Sequence, residues 1–122
     1  MGRSRAVFFI PNVTAGAVLH AAAAFAPRIK HRAHPVAAPN QFAMTRGSEH
    51  ISGKHQIVVT AWDIPGGANV QIEAWVDASM DVWSADPAAL IGIFPRRKLW
   101  KNVGKLCEAI GAPGATASFV HT

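Results

Sequence analysis

The sequence predicts an α+β domain: an antiparallel sheet of about four to five strands, with an N-terminal helix and a C-terminal amphipathic helix packed on one face. Three observations carry this. Two β-rich runs between residues 55 and 83 flank Pro65-Gly66-Gly67-Ala68, the composition of a hairpin turn. An alanine-rich segment, 12–26, is closed by Pro27. Residues 95–111 repeat apolar side chains at helical spacing.

In order along the chain, "SRAVFFIP" is a short strand that ends at Pro11. "NVTAGAVLHAAAAFAP" is a helix capped by Asn12 or Thr14, with Val18, Leu19, Ala22 and Phe25 on its inward face. "RIKHRAHPVAAPN" opens with alternation that suits a short strand and ends as a loop at Pro35 and Pro39. "QFAMTRG" reads as a further brief strand, and "SEHISGKH" as a polar loop.

In the hairpin, pairing Ile64 with Asn69 sets Ala61 opposite Ile72 and Val59 opposite Ala74. Ile57, Val59, Ala61, Val70, Ile72, Ala74 and Val76 then form the buried face. Val58, Thr60, Trp62, Gln71, Glu73, Trp75 and Asp77 form the other. "SMDVWS" begins one more strand. Asp86 and Pro87 predict one or two helical turns, and Pro95 starts the last helix. Its inward stripe is Leu99, Val103, Leu106, Cys107 and Ile110. Residues 1–112 are read as a single domain and 113–122 as a C-terminal tail, loosely held unless Phe119 and Val120 dock.

The element order resembles small helix-grip domains, in which a sheet curls around a long C-terminal helix. That resemblance implies a carrier or enzyme for an apolar small molecule, with a cavity between sheet and helix.

Composition narrows the function classes. Half of the 122 residues are apolar and 16% are charged, a globular balance rather than a disordered one. The single Cys107 forms no internal disulfide, and no Cys/His cluster has zinc spacing. The basic start and apolar run of residues 1–27 mimic a secretion signal, but Pro11, Asn12, Thr14, Gly16 and His20 interrupt the run. No segment has the length and purity of a membrane span. The expectation is a soluble cytoplasmic protein without cofactor or metal.

The net charge of +5 is unevenly laid out. Residues 1–55 carry seven cations against Glu49, residues 56–95 carry five acids and no cation, and residues 96–122 carry five cations against Glu108. Either the basic segments pack beside the acidic middle, or they meet an anionic partner.

Three constellations are candidates for function. Trp62 and Trp75, with Thr60, Gln71 and Glu73, lie on the sheet face away from the core, where exposed aromatics mark interfaces or ligand walls. Arg97, Lys101 and Lys105 recur every four residues on the last helix, with Arg96 and Lys98 at its start and Arg28, Lys30 and Arg32 as a second patch. Cations at a helix N-terminus oppose its dipole, so a partner is needed for them. His31, His34, Glu49, His50 and His55 are metal-ligand types at spacings that match no recognised site.

No phosphate loop or nucleophile elbow is present, and Asp63 faces away from Glu73 and Asp77. The leading expectation is a small non-enzymatic domain acting by self-association or protein docking through its open sheet face. Nucleic-acid or polyanion binding through the basic helix is the first alternative, and the apolar-ligand carrier the second.

Overall fold

A computed structural model describes residues 2–48, 53–79 and 81–122. The chain runs β1 (Ser4–Pro11), α1 (Ala15–Phe25), β2 (Arg32–His34), β3 (Gln41–Ser48), β4 (Gly53–Ile64), β5 (Gly67–Ala78), β6 (Asp81–Ser84), α2 (Ile93–Ala109) and β7 (Val120–His121). Among the described residues, one antiparallel sheet runs β2-β3-β4-β5-β1-β7, and β6 continues the line of β1 along the same edge of β5. The class is the expected α+β, with seven strands where four to five are predicted. β2 and β6 fall in segments read as short strands; the strand that no sequence pattern indicated is β7, two residues long within the expected tail. Alternation over so few positions leaves no legible period.

The β4–β5 hairpin sets the register of the sheet. Ile64 pairs with Gly67, so the turn is Pro65-Gly66 alone. Proline supplies the fixed φ of the first central position and Gly66, at φ +86°, the left-handed second one. Ala61 therefore faces Val70 and Val59 faces Ile72, a shift of two residues from the predicted pairing. Because the shift is even, every side chain keeps its face. Ile57, Val59, Ala61, Val70, Ile72, Ala74 and Val76 are all fully buried.

Both helices pack on that face. Thr14 caps α1, its Oγ1 accepting from Ala17 N at 3.1 Å. Asp63, which points to the helix side, accepts from Ala15 N at 2.7 Å and ties the start of α1 to the end of β4. Val18 and Ala22 are buried, and Leu19 and Phe25 pack at the margin. From α2, Leu99, Val103, Leu106 and Cys107 are fully buried and fill the space over the sheet.

Residues 85–92 form turns rather than the expected helical turns. Asp86 Oδ1 accepts from Ala88 N at 2.9 Å, as an N-cap would, but the helix does not propagate. Carbonyls that a helix would pair internally are held by arginines instead: Arg97 Nε donates to Pro87 O and Arg96 Nη1 to Ile91 O. Gly92, at φ +68°, then enters α2, and its missing Cβ leaves room for the Trp83 ring.

Residues 113–122 dock. Phe119 meets Trp100 edge-on at 5.4 Å, and Val120–His121 adds to β1 as an edge strand. Ser4 Oγ accepts from Ala85 N and shares a 2.6 Å hydrogen bond with His121 Nδ1. No helix among the described residues is long and apolar enough to cross a membrane.

Asp63→Ala removes a charge-assisted bond to the first turn of α1. We expect a loss of about 1–2 kcal/mol in chemical denaturation, with an unchanged denaturant slope.

Candidate functional site

Among the described residues, no other element packs on the sheet face opposite the helices. Thr60 faces Gln71 directly, and Glu73 and Trp75 follow on the same side of β5, so the five residues expected at an interface lie on one surface. Strand β1, beside β5, adds Arg5, Val7, Phe9 and Pro11 to it.

The face divides in two by chemistry. Near the β4–β5 turn, the cross-strand rows are Pro11–Gly67–Ile64, Phe9–Asn69–Trp62 and Val7–Gln71–Thr60–Gln41. None of these side chains is charged. Val7 is 52% exposed, Phe9 46% and Trp62 37%, with Val7 and Phe9 on the stretch of β1 that β7 does not reach. Gln41 Nε2 donates to Thr60 Oγ1, which leaves this polar pair internally satisfied.

The far half is charged and self-paired. Arg3 and Arg5 reach Glu73 at 3.6 and 3.3 Å, and Gln71 Nε2 donates to its other oxygen at 3.0 Å. The Arg3 guanidinium also lies 3.9 Å above the Trp75 ring, so Trp75 is covered where Trp62 is not. Gln56 Nε2 donates to Asp77. A concavity of about 620 Å³ at the β1–β7 edge, lined by Arg3, Arg5, Val7, Val120 and Thr122 among others, adjoins this half.

The cationic residues divide between structural and open positions. Arg96 is structural: its Nε donates to Ser84 O at 2.8 Å, Nη2 to Ser84 Oγ at 2.9 Å and Nη1 to Ile91 O at 2.9 Å. Arg97 holds Pro87 O. Arg32 lies on the exposed strand β2, across from Thr45. The remaining members come together. Arg28 and Lys30, from the 3-10 turn Ala26–Ile29 and its cap, line one cleft of about 290 Å³ with Lys98, Lys101 and Lys105 of α2. Ile29, Arg46 and Asn102 complete the lining, with Arg46 Nη1 donating to Ile29 O at 3.5 Å, and none of the three was singled out by the sequence.

The acidic middle of the chain does not neutralise this cleft. Asp63 is bound to Ala15 N, Glu73 to Arg3 and Arg5, Asp77 to Gln56, Asp81 to Val82 N and the Trp83 indole, and Asp86 to Ala88 N. Among the described residues, the ion pairs are those at Glu73.

His31 and His55 are buried beside the cleft with ring centroids 6.3 Å apart. His31 Nδ1 donates to Ile29 O at 2.8 Å, which leaves Nε2 as an unpartnered acceptor in the neutral ring. Burial, then His31, Arg46 and Lys98, push the pKa of His55 down to about 4. Burial and Arg46 lower that of His31, against the raising effect of the Ile29 carbonyl. Glu49 and His50 lie outside the described residues, and no group of three or more His, Cys, Asp or Glu gathers among those described. Burial and Glu108 raise the Cys107 thiol to about 11, so it stays protonated and unreactive.

No family model, curated protein or solved structure matches this chain.

Two outcomes follow. Arg96→Met keeps the stem but removes the donors to the part-buried Ser84 O and Ser84 Oγ and to the exposed Ile91 O. It should cost about 1–3 kcal/mol in equilibrium unfolding, whereas Arg97→Gln should stay within about 0.5 kcal/mol. His55 titrates lower when folded than when unfolded, so the unfolded chain binds the extra proton first. Stability should be fully present above pH 6.5 and fall by about 1–3 kcal/mol as the pH drops towards 4. His55→Gln, followed by denaturation across that range, should flatten the drop.

Proposed function

We propose that the protein works as a self-associating, non-enzymatic domain in which two copies meet through the uncharged half of the open sheet face. The observation that supports this is the exposure of Val7, Phe9 and Trp62 in adjoining uncharged rows across β1, β5 and β4.

Size and charge favour a second copy as the occupant. The uncharged rows make up about half of the open face; together with the charged rim, strands β3, β4, β5 and β1 at about 4.8 Å spacing over about eight residues give roughly 500 Å² per copy. Doubled, that reaches the roughly 1,000 Å² a specific interface needs. Each copy carries a net charge of +5, so two copies repel unless they meet where neither presents excess charge. The uncharged rows supply such a surface, and a two-fold contact places like on like. The Arg3–Glu73–Arg5 cluster then lies at the rim of the contact, where it orients the partners more than it holds them.

Light scattering tests the reading. The wild-type chain should show twice its 13.0 kDa mass at both low and high salt, since the contact is apolar. Phe9→Glu or Trp62→Glu should return a folded monomer, while Trp75→Ala, beneath Arg3, should have the smaller effect. A wild-type monomer at both salt concentrations would falsify the proposal.

A further inference from the structure

A second site, independent of the sheet face, lies on the opposite side of the molecule in the cleft between α2 and the 3-10 turn. Arg28, Lys30, Arg46, Lys98, Lys101 and Lys105 all line it, with no carboxylate among the lining residues. Like charges gathered around one concavity repel, and their mutual cost falls when an anion is shared among them. Charge alone would also fit a solvated surface. The second observation is Asn102, which lines the same cleft at 6% exposure with its Nδ2 donor unpartnered. A buried amide donor without an acceptor is costly, and native proteins keep one where a ligand or ordered water completes it.

Shape restricts the kind of anion. The cations gather around one open cleft, and the neighbouring cations of the described residues point elsewhere. Arg96 and Arg97 turn away to hold carbonyls of residues 84–91, and Arg32 lies across from Thr45 on β2. A nucleic-acid backbone needs a line of contacts that follows its phosphates. A compact ligand needs cations from several directions around one point, and here they come from the 3-10 turn, the end of β3 and three successive turns of α2. The volume of about 290 Å³ suits a small molecule.

We propose that this cleft binds a small ligand bearing adjacent phosphoryl groups, a diphosphate or a diphosphorylated metabolite. Lys98, Lys101 and Arg46 neutralise its oxygens, and rotation of the Asn102 amide, whose Nδ2 is turned inward in the free protein, brings that donor to one of them.

The test is isothermal titration of the full-length protein with inorganic pyrophosphate, and in parallel with a single-stranded oligonucleotide. Pyrophosphate should bind with an affinity that falls with salt, and Lys98→Gln/Lys101→Gln should weaken it about tenfold or more. Arg97→Gln, outside the cleft, should leave it unchanged. Asn102→Leu separates a binding role from a structural one. It removes an unpaired buried donor at similar volume, so the melting temperature without ligand should hold or rise while pyrophosphate binding weakens. A fall in ligand-free melting temperature with binding intact would make Asn102 structural and overturn its role. Absence of pyrophosphate binding, or binding equal in wild type and the double lysine variant, overturns the site. An oligonucleotide that binds more tightly than pyrophosphate and displaces it overturns the small-ligand assignment in favour of a polymer.

Discussion

The register of β4 against β5 is the constraint on which the other features depend. It is set by a turn of two residues, with Pro65 limiting φ and Gly66 taking the left-handed conformation at +86°. From there the pairing runs to Lys54–Asp77 without interruption. A slip of one residue would send Val59 and Ile72 into water and Trp62 and Glu73 into the core. With the register as observed, one face is apolar along the whole hairpin. Both helices are drawn to that side, and the opposite face is left without cover.

Charge follows the same division. The acids of the middle segment are engaged locally, at the start of α1, on the open face and in the turns around β6. Only Arg3 and Arg5 among the cations come to meet them in ion pairs within the described residues. The cations of the 3-10 turn and α2 therefore collect around their own cleft, where Arg46 and Lys98 also depress the charging of the buried His55. A chain of modest net charge thus has one near-neutral surface and one concentrated positive one.

Much of the fold was legible in the sequence, because the long elements have long periods. The hairpin faces, the inward sides of both helices and the fate of Cys107 follow from alternation or helical spacing over ten residues or more. The turn was read as four residues, but an even error leaves the faces intact. The neighbour of β5 was not legible: β1 pairs with it across 56 to 70 residues, and no local pattern encodes such a partnership. The continuous apolar run in "SRAVFFIP" left the faces of this strand unassigned, and nothing placed Val7 and Phe9 beside Gln71 and Asn69. The run Arg96–Arg97–Lys98 looked uniform, whereas its first two members anchor turns and the third opens on the cleft. Arg46 reached the cleft through tertiary packing alone, whereas Asn102 stands at helical spacing from Lys98 and Lys105 and was passed over because it carries no charge.

The placement of β1 also orders events during folding. The strands β3, β4 and β5 form a meander whose pairings are local, so that part of the sheet can assemble as soon as its own residues are available. The first strand to be synthesised has to wait for β5, and β7 in turn has to wait for β1, which it meets at Ser4 and Arg5. Until then β1 is an unpaired apolar segment with two phenylalanines, the kind of strand that recruits other chains during synthesis. The same residues that stand exposed on the finished sheet are the ones at risk while it is still incomplete.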